Sequence, residues 1–537
     1  MREKAKKFWY DISQRKLTIP SAAFILGSTY LVSNILGVIR ERLIAAQFGA
    51  GHLTDIFYAS FKIPDVIYNL LVLGAVSSAF VPIYVDSLKQ KNKEESNLIA
   101  SNFLNFLLVM TIIAGVVLYV LAWKLVPLLL PGLFREGINT DLHTLSVAVW
   151  SVRIMMLSPI LFALSAVFGG VLNSNKKFFA YALAPVIYNV SIIIGIIFFA
   201  PLTNPPIYGL LCGVLLGAFL HAMIQFLPAI KTGFRWRWVL DLRKHELPQI
   251  IKLTVPRLMA MGAQQVNILV DTIIASFFVG GITVMTFANN IQTVPTVIFG
   301  IAIATAVFPL LAEQKSQGLN DDFKKTFSES ARKILFYTLP ASVGLVVLRA
   351  QVVRLLYGVG HFSWENTYWT TKTLGFFAVG IVAQALIPLL LRSFYAIKDT
   401  KTPFVVSIIT MAINVVLAVA LPFISALKLE IAGVALAFSI SGFVNMGLLF
   451  YLLESKIGKI DKDNKIFAVT VKILAASLFM GILVHYSLYV AAPLLNMQTV
   501  LGLLIQTSAA IAVGLVAYFS TTYLLKVEEA GKIFKRS

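Results

Sequence analysis

Apolar stretches of about 20 residues recur along the whole chain, each long enough to cross a hydrocarbon core of about 30 Å. A backbone inside lipid must satisfy its own hydrogen bonds, so continuous runs of this length read as helices. Composition agrees: 58% of the 537 residues are hydrophobic and 13% charged. Soluble domains sit nearer 45–50% and about 25%. The expectation is an all-α polytopic membrane protein with about fourteen spans, near 20–48, 53–84, 98–122, 142–172, 179–201, 207–230, 247–279, 283–312, 330–356, 366–396, 403–425, 430–453, 467–490 and 499–525.

The net charge of +20 would point to nucleic acid in a soluble protein. Here the basic residues alternate with the spans. Even-numbered loops hold clusters such as Lys89, Lys91 and Lys93, or Arg235, Arg237, Arg243 and Lys244. Odd-numbered loops hold only Lys124, Arg135 and Lys428. The positive-inside rule then places both termini of a multi-pass protein in the cytoplasm, with membrane lipids rather than nucleic acid as surroundings. Residues 1–18 are basic and aromatic and lack a signal-peptide core, so a cytoplasmic segment lying on the membrane surface is expected.

The chain repeats itself at an offset of about 230 residues. Phe48–Pro64 resembles Phe278–Pro295, the stretch 173–190 resembles 396–415 with Asn189 matching Asn414, and Ile207-Tyr208-Gly209 matches Ile431-Ala432-Gly433. Six spans separate the copies, so both halves share one orientation, as in parallel-repeat transporters. The domain reading is an N-lobe at 19–231, a basic linker at 232–246, a C-lobe at 247–455, two appended spans within 456–526 and a cytoplasmic tail at 527–537. Two lobes of this kind imply a cleft between them. Gly209, Gly213 and Gly217 form a small-residue stripe that reads as helix packing.

Charges inside apolar spans cost at least about 2.5–3.5 kcal/mol each at mid-bilayer and normally face a cavity or a partner. They concentrate in the first span (Arg40, Glu41, Arg42), the second (Asp55, Lys62, Asp65) and the seventh (Lys252, Arg257, Asp271), with Arg153 and Arg392 elsewhere. Cavity-lining Arg and Lys suit a phosphate or diphosphate, because guanidinium forks match its oxygens. Pairing of Arg40 with Asp55 and of Lys62 with Asp65 is the structural alternative. Pro64 and Pro295 stand at repeat-equivalent places and are candidate hinges. The six His show no metal-ligand spacing, and no Walker loop or nucleophile elbow is present, so the expectation is a transporter with no metal or cofactor beyond a possible coupling ion. The single cysteine, Cys212, excludes an internal disulfide.

The blocks from Asn34 to Arg40, Phe48–Gly51, Thr54-Asp55, Phe61–Pro64, Gly74-Ala75 and Ala79–Pro82, with Phe394–Ala396 and Asp399–Pro403, resemble the MurJ (MviN) family. The resemblance implies the multidrug/oligosaccharidyl-lipid/polysaccharide exporter fold. It also implies flipping of lipid II, the undecaprenyl-diphosphate precursor of peptidoglycan, with other cell-wall synthesis proteins as possible partners. By position, Arg40 matches the family's cavity arginine and Asp55 its early second-helix aspartate. Lys62, Arg257 and Asn290 complete the candidate substrate-binding set. The chain departs from the pattern where Tyr68 and Asn69 replace an arginine pair, Leu73 a glutamate, and Asn289-Asn290 an Asp-Arg pair. These losses keep open a flippase for another polyprenyl-linked glycan, and less so a multidrug exporter or a non-transporting scaffold.

Overall fold

The computed structural model describes residues 19–90, 92–134, 142–244, 246–461 and 465–534. The basic segment 1–18, Arg135 and the last residues of the tail lie outside the described residues, as does the side chain of Arg257. Among the described residues the structure is helical, without strands. It forms two compact units, Met1–Val279 and Gly280–Ser537.

The first unit runs α1 (Ile19–Phe48), α2 (His52–Ile67), α3 (Val81–Gln90), α4 (Lys93–Leu129), α5 (Leu142–Met155), α6 (Ser158–Ser174), α7 (Phe178–Ile194), α8 (Ile207–Lys231) and α9 (Leu247–Ala275). The second runs α10 (Gly281–Pro295), α11 (Ala302–Ser316), α12 (Asn320–Tyr357), α13 (Trp364–Ala396), α14 (Lys401–Ala420), α15 (Ala432–Ile457), α16 (Lys465–Ala491), α17 (Val500–Leu524) and α18 (Glu528–Phe534). Among the described residues, eleven helical stretches are long and apolar enough to cross a membrane. The expectation of fourteen spans also counts α1, α2–α3 and α9, the three that carry most of the intramembrane charge.

The repeat read in the sequence has local structural counterparts. In the first unit, α7 and α8 touch backbone to backbone: a Cβ on Gly213 would lie 2.5 Å from the Cα of Gly195, and one on Gly209 would lie 2.2 Å from the Phe199 carbonyl oxygen. In the second unit, Gly433 meets Leu421 and Pro422 in the same way. The glycine stripe is therefore a packing face, as its spacing implies. The two candidate hinge prolines also match. Pro64 lies inside α2 and is followed by π-helical turns at Tyr68–Leu73 and Val76–Phe80; Pro295 ends α10 and is followed by one at Thr296–Ile301. A proline lacks the N–H that keeps an α-helical ladder in step, and π-turns absorb the mismatch.

The spans labelled thirteenth and fourteenth, α16 and α17, pack on α12 rather than floating free. Met480, Val484 and Tyr518 share a core with Phe336 and Leu339, and the Tyr518 hydroxyl donates to the Phe336 carbonyl at 2.6 Å. One contact grouping differs from the repeat. The seventh span, α9, groups by contact with the first unit, and the linker before it is strapped along α4. Asn97, Asn102 and Asn105 donate to the carbonyls of Gly233, Asp241, Arg237 and Val239 at 2.8–2.9 Å. Side-chain amides here do the work that a strand partner would do for an extended segment.

At the α13–α14 turn, the Asp399-Thr400-Lys401-Thr402-Pro403 block is a helix cap. Asp399 accepts from the backbone N–H of Thr402 at 3.0 Å and pairs with Lys456 at the end of α15. Partial burial works against its charge, but the bonds from Lys456 and Thr402 prevail and pull its pKa from 3.8 to about 2. Because the folded pKa is depressed, this contribution is complete above the ordinary value and fades as pH falls toward about 2. Lys456→Met is expected to move the Asp399 midpoint back up toward the ordinary value, read by carboxyl-carbon NMR; an unchanged midpoint rules out the pairing as its cause. Gly213→Leu is expected to cost about 1–3 kcal/mol by overpacking. Gly447→Ala, with nothing within 4 Å, should leave the detergent melting temperature nearly unchanged.

Candidate substrate-binding site

The charged end of α1 is held by a short chain of polar contacts within the first unit. The Arg40 guanidinium donates through Nη1 to the Asn189 side-chain carbonyl at 2.8 Å, and through Nη2 it pairs with Glu41. The other Glu41 oxygen accepts from the Tyr58 hydroxyl on α2. Asn189, on α7, donates its amide to the Ser33 hydroxyl at 3.0 Å and to the Ser33 carbonyl at 3.1 Å. Three helices thus meet at one guanidinium. Glu41 is buried, while the Arg40 side chain keeps 24% of its surface open. An arginine carries five N–H donors. With one bond from each Nη, Arg40 retains donors for an incoming anion.

Lys62 lies half-buried on α2, with Asp65 and Asp271 as its charged neighbours. Asp55 is buried in the first turn of α2, where the positive end of the helix dipole favours a carboxylate. Of the sequence-derived set, then, the structure places Arg40, Asp55 and Lys62 in the first unit. It places Asn290 on the exposed face of α10 in the second unit, beside Asn289, which accepts from Gln292 at 2.9 Å. Lys252 is exposed on α9. Arg392 has a local partner: it donates to Thr305 at 2.8 Å and covers the Phe308 ring.

Two features qualify the expected cationic site. The carboxylate on Arg40 is its own neighbour, Glu41, so the pair is close to neutral. Across α1, α2 and α9, five cations (Arg40, Arg42, Lys62, Lys252, Arg257) stand against four carboxylates (Glu41, Asp55, Asp65, Asp271), so the net charge is small. An anion that docks here must compete with Glu41 for the guanidinium. Sequence reasoning missed Ser33, Tyr58 and the role of Asn189. The one available signal was the match of Asn189 to Asn414 across the repeat; Asn414 likewise accepts a helix-to-helix bond, from Ser441 at 3.2 Å.

The second unit holds a large apolar cavity of about 1170 Å³ between α12, α13, α15 and α16, lined by Leu335, Val346, Leu386, Phe450, Leu474 and Ile482. Among the described residues, no group of three His, Cys, Asp or Glu is placed to hold a metal ion.

Comparison with known proteins settles the family. The family model for the lipid II flippase MurJ matches residues 44–507. The chain belongs to the MurJ family. A probable lipid II flippase MurJ of Thermotoga maritima is 31% identical over 515 residues, covering 96% of this chain and 98% of that protein. One of Rickettsia prowazekii is 27% identical, covering 95% and 98%. Among solved structures, a lipid II flippase MurJ in an inward closed conformation superposes with a TM-score of 0.74 at 27% identity, over 94% of this chain and 98% of that one. An inward-facing multidrug-resistance MATE family transporter of the MOP superfamily shares the fold, with a TM-score of 0.64 at 16% identity, over 82% of this chain and 99% of that one. Family membership and the apolar helices make the chain a multi-pass transporter of the bacterial inner membrane.

Removing the Asn189 amide should leave Arg40 without its neutral acceptor. Asn189→Leu is expected to lower stability by about 1.5–3 kcal/mol, the range for hydrogen bonds to charged groups. The repeat-equivalent Asn414→Leu, whose bond is to a neutral hydroxyl, should cost about 1 kcal/mol. Thermal unfolding in one detergent compares the two directly; equal losses would mean that the Arg40 contact adds nothing.

Proposed function

We propose that this protein flips lipid II, the undecaprenyl-diphosphate-linked peptidoglycan precursor, across the cytoplasmic membrane by alternating access. The observation that carries this reading is the family match along almost the whole chain. The site geometry supports it. Arg40 offers unspent N–H donors to a diphosphate at the edge of a polar cluster. In this reading the diphosphate displaces Glu41 from Arg40, and Glu41 stays tied to Tyr58. Asp55 and Lys62 complete the binding set, with Arg257 and Asn290 as further contacts. Pro64 and Pro295, each with a π-turn behind it, are the bending points of the cycle. Both termini lie in the cytoplasm, as the loop charges favour. Binding and moving the lipid, not changing its bonds, is the whole of the activity. A coupling ion and contacts to other cell-wall synthesis proteins belong to this proposal. The membrane potential acts on any charge that moves, at about 2.3 kcal/mol per charge per 100 mV. The physiological outcome is supply of precursor for the cell wall and maintenance of cell shape.

Expression in a bacterium depleted of its own lipid II flippase, with outer-leaflet lipid II assayed directly, tests the proposal. Rescue by the wild type and at least a tenfold loss in Arg40→Ala at equal abundance is the expected result. Wild-type protein that is folded in that membrane and moves no lipid II, while moving another polyprenyl-linked glycan, would overturn the choice of cargo. Glu41→Gln should tighten binding of undecaprenyl diphosphate about tenfold, equivalent to about 1.4 kcal/mol, by removing the competing carboxylate. Unchanged affinity would mean that the two do not share Arg40.

A further inference from the structure

Arg153 stands apart from the cluster around Arg40. It projects from α5 into a box of three rings: its guanidinium carbon lies 4.5 Å from the centroid of Tyr119, 5.1 Å from Trp150 and 5.8 Å from Trp123. Among the described residues its one hydrogen bond runs from Nε to the Tyr119 carbonyl at 3.1 Å, and it has no carboxylate partner. The three rings lie around the guanidinium carbon, and among the described residues no hydrogen bond engages its Nη groups. Ring contacts stabilise the cation but accept none of its remaining N–H bonds. Beside it lies a cavity of about 300 Å³, lined by Ile112, Gly115, Val116, Leu157 and Ile160 together with the Arg153 box. Tyr119, Trp123, Trp150 and Leu157 are all exposed, so this face looks out to the bilayer.

Depth fits a headgroup. The 37 residues of α4 span about 55 Å and overshoot a hydrocarbon core of about 30 Å. Tyr119 lies three residues, about 5 Å along the helix, before the end of the span read at 98–122, with Lys124 just beyond it, and Arg153 sits 4.5 Å from the Tyr119 ring, which puts the box near one boundary of the core. Clustered Trp and Tyr mark that level. A guanidinium edge with open donors, set at the boundary over an apolar groove, is complementary to one kind of molecule already present there. Its phosphate would meet the Nη edge and its acyl chain the groove.

We propose that Arg153 and the groove beside it bind one anionic phospholipid of the surrounding membrane, in the leaflet at the α4–α5 end. That is the outer leaflet under the topology proposed above. Native mass spectrometry of the full chain, titrated with phosphatidylglycerol and in parallel with phosphatidylcholine, tests this. The wild type is expected to hold one phosphatidylglycerol about tenfold more tightly than phosphatidylcholine. Arg153→Met should reduce it to the phosphatidylcholine level. Gly115→Leu should do so too by filling the groove, and it leaves the guanidinium in place; a Cβ there meets only the Met156 carbonyl oxygen, at 3.7 Å, so the variant should fold. Unchanged phosphatidylglycerol binding in both variants overturns the site. A third arm uses undecaprenyl diphosphate. If that lipid displaces the bound phosphatidylglycerol from the wild type and loses its own binding in Arg153→Met, the pocket serves the isoprenoid diphosphate, and the phospholipid assignment is wrong. Neither result depends on whether the chain transports lipid II.

Discussion

A guanidinium inside a membrane has to be satisfied by the protein, and the first unit is arranged around that demand at Arg40. Its two partners differ in kind. Glu41 balances the charge, and Asn189 supplies a neutral acceptor fixed by Ser33 on α1 itself. The result pins α1 to α7 through two contacts separated by about two turns, while Tyr58 draws α2 to the same point through Glu41. Without Asn189, the guanidinium would lose an acceptor where water is scarce, which is costly for a charged group. Position of the binding group and packing of the helices are therefore one interaction here.

The same economy governs the rest of the polar content. Hydroxyls within the helices return to the carbonyl one turn back, as Thr111 does to Leu107 and Thr338 to Ile334, each at 2.8 Å. Side-chain amides on α4 hold the segment before α9, and Asp399 caps α14 while tying it to α15. In the strap and at the cap, polar side chains satisfy backbone groups that no helix ladder reaches. The glycines act by their lack of a side chain: α7 and α8 approach so closely that a methyl group has no room at Gly209 or Gly213.

Charge compensation gives the site its character. A set of charges in which carboxylates nearly match the cations is not a strong electrostatic sink for an anion. It is a set of pairs that can exchange partners. Where the family pattern has arginines, this chain has Tyr68, Asn69 and Asn290, so under the proposed function Arg40 would carry more of the recognition, and Glu41 would set how readily it is released. Pairs of this kind gain little while closed and offer a hydrogen-bonded route from the free to the liganded state.

How much of this was legible in the sequence follows from the range of the interactions. Apolar runs, loop charges and the internal repeat are local or periodic, and they sufficed for an all-helical membrane protein, its family, and the packing role of Gly209 and Gly213. Arg40 stood out because a charge in an apolar span has few explanations. Its partners did not, since Asn189 lies 149 positions away and only folding brings α7 against α1. The choice of Glu41 as the carboxylate on Arg40 is a matter of side-chain direction that no spacing encodes. The grouping of α9 with the first unit was likewise hidden, because the strap from Gly233 to Asp241 is held by α4, more than 130 residues earlier. Local sequence determined which segments form long apolar helices; tertiary contact alone decided which distant polar groups meet, because in lipid a side chain that its own helix does not satisfy must find its partner on another.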